Sequence, residues 1–189
     1  MNKTCLSYWF PMLQQAGLPV PRTEIVKTRL SLESLVDGQS PTGFYRFLSK
    51  LGAAADRMGY PCFLRTGLGA GKHRWSETCY LSSAEALPRH VGALVEWSTM
   101  VNIIGLPTNV WAVRELLPVK PLATLPLHGS MPLVREVRGF VEGGRVLCLH
   151  AYWPEDAVRA GFLRKPRNFA AMYKTVSEWS VSEEESITA

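Results

Sequence analysis

Phe63-Leu64-Arg65-Thr66-Gly67-Leu68-Gly69-Ala70-Gly71-Lys72 carries an apolar, strand-like segment into three glycines and a lysine. Glycines let a backbone come close to a phosphate and offer it N–H groups. A lysine adds a mobile point charge. The segment is not a P-loop, because that motif needs Ser or Thr after its lysine and His73 stands there. It is not a dinucleotide fingerprint opening a helix either, because Glu77-Thr78-Cys79-Tyr80-Leu81 reads as a second strand. Strand, glycine loop and strand make a hairpin flap over a nucleotide. An ordinary glycine-rich surface loop has the same composition, and the local pattern fits both.

Working outward, residues 4–16 form an amphipathic helix closed by Gly17. Gly17 to Pro21 is rigid and extended, since each proline disfavours helix in the residue before it. Residues 23–27 read as a strand. Residues 42–58 form a helix with Phe44, Phe47, Leu48 and Leu51 on one face and Gly59 as its stop. Pro61 to Arg65 is the strand before the glycines. A long helix is expected from Ser83 to Met100, with Pro88 inside it, and a strand from Asn109 to Leu117. Residues 133–141 and 146–153 form a hairpin about Gly143-Gly144, whose turn needs positive φ. A helix near 167–178 leads into an acidic tail. This order predicts an α+β fold with antiparallel sheet.

The chain has 189 residues, 47% hydrophobic and 20% charged, which excludes a disordered or fibrous protein. No apolar run reaches the roughly 20 residues a membrane span needs, and Pro11, Gln14 and Gln15 interrupt the N-terminal apolar stretch. A soluble, cytoplasmic protein is the expectation. Net charge is +5, but Glu178, Glu183, Glu184 and Glu185 follow the last basic residue, Lys174. The chain up to Ser177 holds 21 basic and 12 acidic residues, a balance of +9 that favours an anionic ligand. Cys5, Cys62, Cys79 and Cys148 form no CxxC pair, so no metal site is expected among them and the thiols read as reduced.

Two further segments carry chemistry. Trp111-Ala-Val-Arg114-Glu115-Leu116-Leu117-Pro118 is a strand whose apolar end can offer its backbone to an adenine ring, or simply a core strand. Val134-Arg135-Glu136-Val137-Arg138-Gly139-Phe140-Val141 sets three charges inside a strand. Alternation places Glu136 and Arg138 on one face and Arg135 on the other. Charge in a central strand is costly unless it is paired or faces a polar ligand. A hairpin partner ending in His150-Ala-Tyr-Trp-Pro154 crowds ionisable and aromatic groups at the same end.

In this order the segments resemble the ATP-grasp superfamily, and within it the phage and bacterial clade named for two arginines and one lysine. The likeness runs through Gly17 to Val26, Phe63 to Arg65, Gly71-Lys72, Val113 to Pro118, Arg135 to Arg138 and His150 to Pro154. It implies two α+β lobes with ATP between them, divided as an N-terminal lobe over 1–60, a central lobe with the flap over 61–118, and the start of a C-terminal lobe with the acidic tail over 119–189. It also implies an ATP-dependent carboxylate–amine or carboxylate–thiol ligase working through an acylphosphate. By resemblance Arg65 and Lys72 meet the ATP phosphates, with Gly69 and Gly71 in the flap. Glu115, Leu116 and Leu117 line the adenine. Arg138 and Arg135 face the phosphate or substrate carboxylate, with Lys72 as a third catalytic cation. His150 and Trp153 lie toward the substrate.

Family members hold Mg²⁺ on acidic residues of late strands, and no such strands follow Trp153. The expectation is therefore a C-terminally incomplete ATP-grasp protein, with Mg²⁺ ligands not found and a homo-oligomer or a missing segment as the means of covering an apolar edge. Two alternatives stand beside the ligase. One is a non-catalytic nucleotide-binding or protein-interaction module. The other is a single-stranded nucleic-acid binder, argued from the +9 balance and six tryptophans; most of those tryptophans lie dispersed in apolar segments, which makes most of them core residues instead.

Overall fold

The computed structural model describes residues 2–101, 105–143 and 145–178. Gly144 of the expected turn, Trp179 and the acidic tail with Glu183, Glu184 and Glu185 lie outside the described residues. The chain divides into two compact units, Met1–Pro118 and Val119–Ala189.

The first unit is a four-stranded antiparallel sheet with helices. Its strands are β1 (Thr23–Lys27), β2 (Cys62–Thr66), β3 (Tyr80–Leu81) and β4 (Val110–Glu115), in the order β1-β4-β2-β3. Its helices are α1 (Leu6–Gln15), α2 (Phe44–Met58) and α3 (Leu87–Met100). The expected strand at 23–27 is β1, and the 44, 47, 48 and 51 stripe of α2 is buried, extended by Ala54 and Ala55. Gly59, at φ +85°, ends α2 in a conformation other residues avoid. Helix α3 begins at Leu87, not Ser83, with Pro88 in its first turn. Proline has no N–H to give an intrahelical bond and fits where that donor would be orphaned.

Alternation divides the sheet residues between two faces. Cys62 and Leu64 of β2, Leu81 of β3, and Trp111 and Val113 of β4 pack with the buried stripes of α2 and α3. Trp111 is fully buried, meets Phe47 edge-on at 5.6 Å, and donates its indole N–H to the Thr108 carbonyl at 2.6 Å. On the opposite face Ala112 packs with Leu6 and Phe10 of α1, and Ile25 of β1 joins them. Leu32, in a segment with no periodic signal, is fully buried in the larger core.

The second unit holds two antiparallel hairpins and two helices. The first pairs β5 (Ala123–Leu125) with β6 (Met131–Leu133). The second pairs β7 (Val137–Glu142) with β8 (Arg145–Ala151), with a bulge between Phe140 and Val141. Helices α4 (Glu155–Ala160) and α5 (Phe169–Ser177) complete it. Leu125, Met131, Leu133, Trp153, Val158, Phe169 and Val176 are its buried side chains. The hairpin about Gly143 is as expected, and Gly143 itself sits at φ +56°. The expected strand from 133 is interrupted: β6 ends at Leu133 and β7 starts at Val137, so Arg135 and Glu136 precede the ladder instead of alternating within it. The β5–β6 hairpin and α4 carry no clear sequence pattern.

The α2-to-β1 contact has an ionic component. Arg57 donates to both Glu24 carboxylate oxygens, at 2.9 and 2.6 Å. The Arg57 guanidinium holds the Glu24 carboxyl below the usual carboxylate value. A depressed folded-state pKa gives stability that is present above the unfolded value and lost as pH falls through the folded one. Urea midpoints measured from pH 7 to pH 3 should therefore fall less steeply in Glu24→Gln than in wild type below about pH 4.3, the ordinary glutamate value.

Packing around the glycine segment gives a second expectation. A Cβ on Gly67 would lie 2.6 Å from the Cys5 sulfur and 2.9 Å from Val110 Cβ. Gly67→Ala should lower unfolding free energy by about 1–3 kcal/mol, as overpacking does, read by urea denaturation.

Candidate functional site

The face of the first sheet toward α1 is organised in rows by strand register. Thr23, Arg114, Phe63 and Tyr80 stand opposite one another across β1, β4, β2 and β3. In the adjoining row Ile25, Ala112 and Arg65 stand opposite one another. Directly opposed residues share a face, so Arg65, Arg114 and the aromatic pair Phe63 and Tyr80 gather on one side. Trp75, from the segment between β2 and β3, stacks on Tyr80 at 5.7 Å and leans on Phe63 at 5.8 Å. Arg65, Phe63, Trp75 and Tyr80 are all half-buried.

The sequence places Arg65 and Lys72 seven positions apart, and the charges of both are felt at Cys79. Burial pushes the Cys79 thiol up to about 12, and the charges of Lys72 and Arg65 oppose that rise. Lys72 opens a short 3-10 turn over Lys72–Arg74, entered through Gly71 at φ +58°. Arg65 Nε donates to the Thr66 carbonyl at 3.0 Å.

The glycine segment is packed into the unit and does not project as a hairpin flap. Gly67 N–H donates to the Val110 carbonyl at 2.7 Å. Gly69 N–H donates to Thr66 Oγ1 at 3.1 Å, and Gly69 O accepts from the Thr66 amide at 2.9 Å. A Cβ on Gly69 would run into the Trp97 ring of α3, and one on Gly71 would meet Thr78 at 3.2 Å. Small residues are needed here because the backbone passes close to α1, α3 and Val110. Those two amides already have partners within the chain, so the charge available to an anion comes from side chains. The strand after the segment is also shorter than Glu77–Leu81. Thr78 Oγ1 instead bonds the carbonyls of Gly71 and Arg74, at 2.9 and 2.8 Å, and only Tyr80 and Leu81 reach the ladder.

At the other end of β4, Glu115 is held by Arg22. Its carboxylate accepts from the Arg22 amide at 2.7 Å and from Arg22 Nε at 3.1 Å. The backbone bond, then the side-chain bond, lowers its pKa. Leu116 is half-buried and Leu117 is 50% exposed just past the strand.

The two remaining candidate arginines belong to the second unit. Arg138, on exposed β7, places its guanidinium 4.7 Å from the centre of the Tyr152 ring. Arg135 donates to the Glu178 carbonyl. His150 is exposed, stacks on Phe140 at 5.7 Å, and its Nδ1 lies 2.8 Å from the Ala151 carbonyl. Trp153 is a core residue, stacked on His128 at 6.4 Å and bonded through its carbonyl to the Tyr173 hydroxyl. Among the described residues no group of three or more His, Cys, Asp and Glu side chains is placed to hold a metal ion. None of their helices is long and apolar enough to cross a membrane.

Sequence reasoning passed over Arg114, Phe63, Trp75 and Tyr80. The one available signal was alternation within β2 and β4, which sets Phe63 with Arg65 and Ala112 with Arg114. Joining these sets into rows takes the cross-strand register.

No family model and no curated protein matches the chain. Among solved structures, C-terminally truncated Cdc123 from Schizosaccharomyces pombe is 14% identical over 77% of this chain, with a TM-score of 0.48. This chain spans 61% of that one. Cdc123 from Schizosaccharomyces pombe is 12% identical, with a TM-score of 0.50, over 98% of this chain and 72% of its own. At that identity the likeness concerns the fold alone. It fits the α+β, antiparallel, two-lobed ATP-grasp-like architecture expected from the motif order. Assignment to the clade named for two arginines and one lysine is overturned, since no family model supports it and the solved neighbours are Cdc123 structures.

The thiols offer a check on the site's burial. Cys62 and Cys79 are buried, with pKa values pushed up to about 11 and about 12, while Cys148 is exposed on β8. Thiolate is the reactive form. Native protein at pH 8 should therefore label quickly with a disulfide reagent at Cys148, while Cys79 labels only after denaturation; mass spectrometry of the labelled peptides reads both.

Proposed function

We propose that the chain is a nucleotide-binding module whose work is binding and not bond formation. The observation that carries this is that Arg65 shares one sheet face with the half-buried aromatic set Phe63, Trp75 and Tyr80, with Lys72 opening the turn that follows the glycines. A nucleoside triphosphate has two chemically distinct ends. Its phosphates need cations held at close spacing, which an arginine fork and a lysine supply. Its base needs a flat apolar surface, and aromatic faces are suited to one.

In this proposal Arg65 and Lys72 take the phosphates, with Gly69 and Gly71 shaping the segment between them by close packing. The backbone at Glu115, Leu116 and Leu117 serves the base. Within the second unit, Arg138 and Arg135 offer positive charge to a phosphate or a carboxylate. ATP is the proposed ligand. The described residues offer no cluster of acidic or other metal-ligating side chains fitted to Mg²⁺. The ATP-grasp-like fold supports the reading as architecture. The ligase reading needs more than that fold, because phosphoryl transfer depends on charge stabilisation at the transferring group.

Calorimetric titration with ATP, with and without Mg²⁺, tests the proposal. Binding is expected in both conditions with little difference. Lys72→Ala and Arg65→Ala should each weaken it about tenfold, the cost of one charge-assisted contact, while circular dichroism stays unchanged. Steady ADP release with a carboxylate and an amine present would favour the ligase reading, and unchanged ATP affinity in both first-unit variants would remove the assigned phosphate contacts.

A further inference from the structure

Arg114 is the charged group of the first unit that its surroundings leave unexplained. It lies on β4 between β1 and β2, half-buried, on the face toward α1. Its Nε donates to Thr23 Oγ1 at 3.2 Å, and its guanidinium carbon lies 5.9 Å from the centre of the Phe10 ring. Among the described residues no carboxylate pairs with it. Other arginines of the same unit are paired: Arg22 with Glu115, Arg57 with Glu24, and Arg74 with Glu77 and Glu96. The acid next in sequence cannot serve, because alternation turns Glu115 to the other face, where Arg22 holds it. Burial lowers the Arg114 pKa from the ordinary arginine value, with no acid opposing the shift.

A guanidinium has five N–H donors, and a threonine hydroxyl with an aromatic ring satisfies few of them. A charge withdrawn from water without a counter-charge is costly and is seldom kept without a use. Register supplies the setting. Phe63 stands directly opposite Arg114, and Arg65, two residues along β2, stands diagonal to it. Diagonal neighbours are about 7–8 Å apart along the sheet, so Arg65 is the next cation on that face beside Arg114. An arginine fork matches phosphate oxygens in pairs.

We propose that Arg114 is the anchor of an oxyanion site on the α1 face of the sheet, taking a phosphate group with Thr23 Oγ1 and Arg65 beside it. The site stands on the geometry of Arg114 and does not require the base-binding part of the nucleotide reading. Arg114 replaces an internal acid with an external one: the bound anion completes the charge pair that the fold leaves open.

Thermal unfolding in increasing inorganic pyrophosphate, at constant ionic strength, tests the site. A ligand that binds only the folded state raises Tm with concentration. Wild type is expected to show that rise. Arg114→Met, which keeps the aliphatic bulk and removes the charge, should lose the rise while its Tm without anion equals or exceeds that of wild type. Arg114→Lys should keep the rise with about tenfold weaker apparent affinity, because a point charge replaces a two-toothed fork; this variant decides the matter if the methionine protein does not fold. Absence of any rise in wild type overturns the proposal. So does a full rise in Arg114→Met, or in Arg114→Lys an affinity equal to wild type. If ATP titration fails while pyrophosphate still stabilises the protein through Arg114, the nucleotide reading falls and the oxyanion site stands. If ATP binds and Arg114→Met binds it equally well, the reverse holds.

Discussion

Strand β4 is the constraint on which the first unit depends. It pairs with β1 on one side and β2 on the other, so it has no free edge. Its side chains alternate between two apolar environments. Trp111 and Val113 complete the core under α2 and α3, while Ala112 completes the smaller cluster with α1. A slip of one residue would drive Arg114 into the larger core and Trp111 out of it, which burial of that core forbids. The register is therefore fixed, and with it the rows that set Arg65, Phe63 and Tyr80 beside Arg114.

That fixed register converts a packing requirement into an electrostatic one. The face that keeps Trp111 dry presents arginines on its reverse. Arg22, Arg57 and Arg74 are paired with carboxylates at the periphery, where water screens the pairs and each contributes little. Near the sheet centre water is partly excluded, and a charge interacts more strongly with whatever reaches it. Arg114 is a half-buried cation there with no carboxylate partner among the described residues. The glycines between β2 and β3 contribute by close approach. They let the backbone pass under Cys5, Val110 and Trp97 on its way from Arg65 to Lys72.

Much of the architecture was legible where one pattern dominated. The α2 stripe, the glycine stop at Gly59, the strand at 23–27 and the turn at Gly143 each follow from a local preference. The sequence pattern starts α3 at Ser83, whereas Pro88 fits only the first turn, so the helix begins at Leu87. Residues 133–141 read as one strand, but the ladder begins at Val137, beyond Arg135 and Glu136. The short β5–β6 hairpin and α4 went unread, being too brief for periodicity to separate them from loop. The glycine segment was legible as special and not as to why: three glycines fit a phosphate cradle and a close-packed crossing equally, and the identity of the neighbours decides between them.

By itself the sequence determined the α+β class, the antiparallel hairpins, most helix faces and an excess of positive charge. These rest on preferences acting over a few residues, or on composition. The tertiary structure alone decided which cations meet, because cross-strand neighbours come from distant segments: Thr23 with Arg114, Phe63 with Arg114, Arg65 with Ala112. It also decided that Glu115 binds Arg22 and leaves Arg114 without an acid, although the two are adjacent in the chain. Pleating sends adjacent residues to opposite faces, so only the fold determines which of them share an environment.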